Sequence, residues 1–247
     1  MIPGIIEEAI SAHGGRRLWD SIDAVDAVIS VRGLLLTVKR RPLLDRVRVR
    51  ARAHRADFIF FDFPEAGLNA ELIGDDEVCI FERPGQVHGR RFFPRTGIRS
   101  FSRMFSWDDL DFTYFGGYAI WNYLVTPFLF LRDGFEFETL PRFRTSLGDW
   151  ERVRVTFPPG IPTHCRSQVF SFDQDRLLRR LDYTAEVVGG WAHAAHICDE
   201  YQDFDGLKVA TKRRVFPLFH MRNPLPGPVL VAIDVHDAKL CSWPEKR

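Results

Sequence analysis

Apolar and polar residues alternate with a period of two along most of this 247-residue chain. One segment, WDDLDFTYFGGYAIWNYLVTPFLFL at positions 107–131, breaks the pattern. Period-two alternation sends successive side chains to opposite faces of an extended strand, so it demands a sheet with one buried face. The alternation begins at Val25. It is clearest in the run Arg46-Val47-Arg48-Val49-Arg50-Ala51-Arg52-Ala53, where four arginines take one face and small apolar residues the other. Further strands are expected over 57–63, 77–81 and 87–93, and, past the aromatic segment, over 150–157, 164–172, 176–187, 193–204, 208–216 and 229–235. Turns as short as Asp173-Gln174-Asp175 and Asp205-Gly206 permit only antiparallel neighbours. A twisted sheet of about ten strands curls. The expected fold class is therefore mainly β (α+β), with antiparallel strands curled into a barrel or half-barrel.

Two helical segments complete the expectation. Residues 3–12 place Ile5, Ile6, Ala9 and Ile10 on one side, with Pro3 at the first turn and His13-Gly14-Gly15 at the end. In the aromatic segment, a helix capped by Asp108 or Asp109 puts Asp111, Tyr114, Tyr118 and Asn122 at i, i+3, i+7 and i+11, on one face. No charged residue occurs from Phe112 to Leu131, so this polar row does not suit solvent and looks inward, where the helix would close a cavity. Gly116-Gly117 costs about 1 kcal/mol per glycine relative to alanine. Either something approaches closely there, or the helix breaks and the row splits. No Ser-, Gly- or Pro-rich linker divides residues 1–247, which read as a single domain.

Composition excludes several functions. A net charge of +1 supplies no whole-molecule field for nucleic acid or an acidic membrane. No dinucleotide fingerprint, phosphate-binding loop, nucleophile elbow or kinase signature is present. The cysteines, Cys79, Cys165, Cys198 and Cys241, lack CxxC spacing and read as reduced thiols. His193 and His196 stand three apart on an expected strand and so point to opposite faces; neither a metal nor any other cofactor is expected. The start, MIPGIIEEAISAHGG, has no cationic region and carries Glu7 and Glu8, unlike a signal peptide. The longest apolar stretch, 118–131, falls short of the roughly 20 residues that span a bilayer. These features lead us to expect a cytoplasmic monomer or homodimer without a membrane span.

Three stretches, AHGGRRLWDSIDAV, VFSFDQDRLLRRLDYTAEVVGG and AAHICDEYQDFDGLKVATKRRV, resemble uncharacterised bacterial proteins of the lipoprotein-carrier (LolA-like) fold, in a branch without a signal peptide. The resemblance implies a strongly curved antiparallel half-barrel wrapped over helices, with an apolar cavity for acyl chains or other hydrophobic ligands. It implies no particular functional residues.

Candidate chemistry follows from the polar groups expected to face that cavity. A carboxylate among aromatic rings has a raised pKa, as a general acid or base needs, which nominates Asp111. His164 is the best general base, with Tyr183 assisting. Tyr114, Tyr118, Trp121 and Asn122 would hold the oxygens and rings of a ligand. Alternation places Arg166, Gln168, Phe170 and Phe172 on the face of His164. A buried Arg166 would need a carboxylate, from Asp111, Asp199 or Glu186. Asp199 and Tyr201 are further cavity candidates. For every one of these a plainer role is open: an early-turn acid, a core ring with a satisfied hydroxyl, or a wet strand end. The Arg46–Arg52 row would bind phosphates or an acidic partner, or form a solvated outer face paired with acids. Two functions emerge. One is a cofactor-free acid–base enzyme, such as a cyclase, dehydratase or isomerase of a polyketide- or isoprenoid-like molecule. The other is a non-catalytic carrier of acyl-chain or other lipid-like ligands.

Overall fold

The computed structural model describes residues 2–82, 85–145, 148–219 and 223–243. Helix α1 (Gly4–Ala12) buries Ile5, Ile6, Ala9 and Ile10, the face its sequence predicts, and α2 (Gly15–Asp20) adds Trp19. Six strands follow: β1 (Ala24–Arg32), β2 (Leu44–Arg52), β3 (Asp57–Phe61), β4 (Leu68–Ile73), β5 (Glu77–Glu82) and β6 (Gln86–Phe92). Short helices α3 (Leu34–Val38) and α4 (Pro94–Gly97) interrupt and end this meander. The aromatic segment forms α5 (Asp109–Val125) and a 3-10 turn at Phe128–Leu131. The second half consists of β7 (Glu136–Thr145), β8 (Gly148–Thr156), β9 (Ser167–Phe172), β10 (Leu178–Thr184), β11 (His193–Phe204), β12 (Leu207–Phe219), the two-residue β13 (Asn223–Pro224) and β14 (Val231–Cys241).

Strand order is β6-β5-β4-β3-β2-β1-β14-β12-β11-β10-β9-β8-β7, antiparallel throughout, with β13 set beside β12. The last strand is the seam. It pairs Leu240 with Val25 of β1 and Asp234 with Lys212 of β12, joining the two meanders into one sheet. Closure is not reached, because β6 and β7 end the order and do not pair with each other. Of the barrel or half-barrel expected, the open form is found: a curled sheet of thirteen strands along its path, against about ten expected. The strands left unread are β4, where buried Asn69 spoils the alternation, and β7, which contains Pro141 and is wet on both faces. The expected strand at 164–172 begins only at Ser167.

Every residue of α5 from Asp111 to Val125 is buried. A helix apolar on all sides needs cover on all sides, and the curled sheet supplies it. Asp108 caps the helix: its carboxylate accepts from the Asp111 N–H, and the Asp111 carboxylate accepts from the Asp108 N–H, a reciprocal arrangement in which such a cap contributes about 1 kcal/mol. Gly116 and Gly117 do not break the helix. A Cβ on Gly116 would stand 3.1 Å from the Phe60 ring, and one on Gly117 would stand 3.1 Å from Leu72 Cβ. The glycines let α5 lie directly on β3 and β4, so the polar row stays on one continuous rod.

The arginines of β2 form the solvated outer face. Arg48 and Arg50 meet Asp26 on β1, and Arg52 meets Asp57 on β3. Val49 and Ala51, the alternate residues, are fully buried.

Candidate functional site

The inward row of α5 is fully engaged with protein partners. Tyr114 donates to Asp75 at 3.3 Å, and Asn122 donates to the carbonyls of Tyr118 and Pro162, both at 2.8 Å. Tyr118 meets His164 Nδ1 at 3.1 Å, and Tyr123 meets His164 Nε2 at 2.7 Å. A neutral imidazole has one N–H and one bare nitrogen, so one tyrosine donates to the ring and the other accepts from it. The Tyr123 hydroxyl also lies 3.3 Å from that of Tyr183, whose ring stacks on His164. Burial pushes the His164 pKa down to about 3, and nearby Arg95 adds to the effect. Burial likewise raises Tyr118, Tyr123 and Tyr183 above the ordinary phenol range. All four groups are therefore uncharged at neutral pH and form a closed chain of hydrogen bonds.

Asp111 stands apart from this chain. It is buried against Arg91 Nη1 at 2.5 Å and Arg103 Nε at 3.0 Å, at the start of α5. Burial raises its pKa, while the hydrogen bond from the Asp108 N–H and the two guanidiniums oppose the rise and the Asp108 charge adds to it. Its bonds are those of a helix cap and ion pair, and none goes to His164. Trp121 points to β2, donating to the Arg52 carbonyl at 2.9 Å. Arg166 is exposed, at a wet strand end, and needs no carboxylate. Glu186 pairs instead with Arg95 at 3.0 Å. Asp199 is also exposed and meets Arg179. Phe172 is buried in the core, and Phe170 packs edge-on against Phe130 at 4.9 Å.

Two small chambers and one large cavity share out the remaining candidates. Asn122, His164, Gln168 and Phe170 line a chamber of about 10 Å³, and Tyr201 lines another of about 10 Å³ beside His13. Each has room for about one water molecule. Arg213 borders both chambers. It is buried, donates to the Tyr123 carbonyl at 2.9 Å and to Cys198 Sγ at 3.1 Å, and faces the Tyr123 ring. His196, also buried, sets its ring at right angles to that of Tyr123. Tyr123, Arg95 and Arg213 were missed in the sequence, where His196 enters only as a candidate metal ligand. Tyr123 lies five residues beyond Tyr118, off the helical row, although its hydroxyl reaches the same histidine.

The large cavity holds about 500 Å³ and is almost wholly apolar. Its walls come from α3, the 104–105 segment, Phe115 of α5, and one end of β10, β11, β12 and β14. Tyr183 is the only residue nominated from the sequence that borders it. Its ring forms part of the wall while its hydroxyl turns into the buried chain. Among the described residues Lys39 is the one Lys or Arg on the wall. It is buried, bonds the carbonyls of Arg103 at 2.9 Å and Met104 at 2.8 Å, and lies over the Trp107 ring. Burial lowers its pKa, with Asp111 opposing. His193 borders the cavity too and bonds Thr184 Oγ1 at 2.8 Å. Among the described residues no group of three or more His, Cys, Asp or Glu is placed to hold a metal.

No protein-family model and no curated relative matches the chain. Solved structures do. A LolA superfamily protein from Nitrosomonas europaea superposes with a TM-score of 0.56 at 12% identity, over 98% of this chain and 94% of that one. The chain has the LolA-like fold. A DUF1329-family protein from Desulfovibrio piger gives a TM-score of 0.52 at 13% identity, over 96% of this chain and 91% of its own. A candidate outer membrane lipoprotein-sorting protein domain from Vibrio parahaemolyticus gives 0.52 at 11% identity, over 96% and 90%. In this LolA-like sheet the 500 Å³ cavity opens beside α3 and the loop before α5, and no helix is long and apolar enough to cross a membrane among the described residues.

Proposed function

We propose that the protein is a non-catalytic carrier that holds an acyl-chain or similar lipid-like ligand in the 500 Å³ cavity. The carrying observation is the chemistry of that wall, where Leu35, Val188, Ala194, Val215 and Leu230 meet aromatic rings and few polar groups. Its volume falls in the usual ligand range of about 300–1,000 Å³. Each methylene taken from water into such a site gains about 0.8 kcal/mol, so a chain of roughly a dozen methylenes gains about 10 kcal/mol before the costs of association. The likeness to a LolA superfamily protein and a candidate lipoprotein-sorting domain supports the same reading. Polar convergence, the basis for expecting an acid–base enzyme, is met in the structure by internal partners. His164 has both nitrogens bonded to tyrosines, and Asp111 is bonded to Arg91 and Arg103.

Mass spectrometry of small molecules that co-purify with the folded protein tests this directly. A long-chain amphiphile released on denaturation, and displaced by a fluorescent fatty acid, is the expected result. A protein that retains no such molecule and takes up no fluorescent fatty acid is not a carrier.

A further inference from the structure

Several side chains that border the cavity also face solvent: Leu34, Val38, Met104, Phe105, Trp191 and Leu225. Trp191 is 76% exposed, and Phe101, next to this ring of side chains in the loop before α5, is 80% exposed. The indole of Trp191 passes over Gly189, where a Cβ would come within 2.5 Å of its Nε1, so the ring has a defined seat despite its exposure. A contiguous apolar rim around an apolar cavity marks an interaction surface.

Charge identifies what this rim meets. Segments 34–43 and 86–105, which supply Leu34, Val38, Met104 and Phe105 to the mouth, contain eight Lys or Arg; five pair with carboxylates from other parts of the chain, Lys39 bonds carbonyls, and two remain. Arg40 and Arg99 are exposed and form no ion pair with any described residue. Tryptophan and phenylalanine at the level of a surface, flanked by unpaired arginine, match the boundary of an anionic lipid layer, where rings sit among head groups and cations meet phosphates. The rim also opens onto the cavity, so a hydrocarbon chain leaving a bilayer there enters the protein without crossing water.

We infer that the mouth docks on the surface of an anionic lipid bilayer, with Phe101, Phe105 and Trp191 among the head groups and Arg40 and Arg99 against lipid phosphates. This rests on the carrier reading above and names its donor or acceptor. Flotation of the full chain with vesicles of phosphatidylcholine, alone and mixed with phosphatidylglycerol, tests it. Binding to the mixed vesicles is expected. It weakens with added salt, as the Debye length falls from about 8 Å at physiological strength to about 3 Å at 1 M. Arg40→Glu combined with Arg99→Glu, and separately Phe101→Ser, lower partitioning at least about tenfold. None of these three residues borders the cavity, so uptake of a fluorescent fatty acid by the same variants reports on the cavity alone. Lost uptake in the unmutated protein sinks the carrier reading. Normal uptake without vesicle binding, or binding that the variants leave unchanged, overturns the docking.

Discussion

The ring of Tyr183 lies flat on that of His164, with centroids 4.0 Å apart and planes 6° from parallel. One face of this pair belongs to the wall of the large cavity, through Tyr183, and the other to the buried hydrogen-bond chain that runs through His164 to α5. At this point the Tyr183 ring alone stands between the large cavity and the His164 end of the polar chain.

Stability should fall as the pH drops below the ordinary histidine range. His164 is held down to about 3 and His13 to about 4, both chiefly by burial, and burial also lowers His196. The unfolded chain therefore binds more protons than the folded one below pH ~6.5, and each such histidine removes up to about 1.4 kcal/mol per pH unit until its folded pKa is reached. Above that range the folded and unfolded imidazoles are both neutral and contribute no slope. Urea unfolding between pH 4.5 and 7.5 (about the window above the carboxylate range) should show this slope, and His164→Gln should reduce it. An equal slope in the variant would mean that His164 is not the buried neutral group described here.

Substituting Asp111 should cost stability and spare ligand uptake. Asp111→Asn leaves Arg91 and Arg103 facing an amide and weakens the reciprocal cap with Asp108. Breaking a fully buried ion pair costs about 3–5 kcal/mol. Both arginines are partly solvated here, with 26% and 29% of their side chains exposed, so a loss of about 1–3 kcal/mol is expected. Denaturation midpoints alongside fatty-acid uptake separate the two effects. Lost uptake in a folded Asp111→Asn protein would return this residue to the ligand site.

The two glycines of α5 should respond differently to alanine. At Gly116 the new methyl meets Cζ of Phe60, the far end of a side chain, so a small ring shift relieves it and the gain of about 1 kcal/mol in helix propensity offsets much of the crowding. At Gly117 it meets Leu72 Cβ, fixed to the backbone of β4, and overpacking of about 1–3 kcal/mol wins. Thermal unfolding of Gly116→Ala and Gly117→Ala, compared side by side, decides whether the contact with β4 is as rigid as this.

Filling the cavity should weaken ligand binding without unfolding the protein. Ala192 borders the cavity and is only half-buried, so in Ala192→Trp the new ring grows into empty space. Displacement titrations should show at least a tenfold loss in affinity, or about 1.4 kcal/mol. Unchanged affinity would place the ligand elsewhere.

Much of the architecture is legible in the sequence because one-sided burial writes itself as alternation. In β2, arginines alternate with Val49 and Ala51, and the structure buries the second set while pairing the first with Asp26 and Asp57. Strand β7 is illegible for the opposite reason: wet on both faces, it has nothing to alternate. The inward polar row of α5 is equally legible, since an uncharged stripe on a buried rod faces the protein interior. What fills its hydrogen bonds is not, because His164 and Pro162 come from a loop some 40 residues away whose path only the folded sheet fixes. An apolar cavity is expected from the sequence, but where it lies escapes sequence reading. Its walls are ordinary aliphatic residues from distant elements, and emptiness between them leaves no local pattern.

An open sheet has two margins, and each is a row of backbone donors and acceptors with no neighbour. Along β7 that row is spoiled by Pro141, which has no N–H, by a register shift between Leu140 and Phe143, and by Glu136, Glu138, Arg142 and Arg144. Along β6 it carries His88, Arg90 and Arg91, with a second register shift opposite Phe81. Bulges and charge are what keep exposed strands from accepting another chain. The curl that leaves the sheet unclosed thus comes with two defended borders, which keep one copy from adding its edge strands to another.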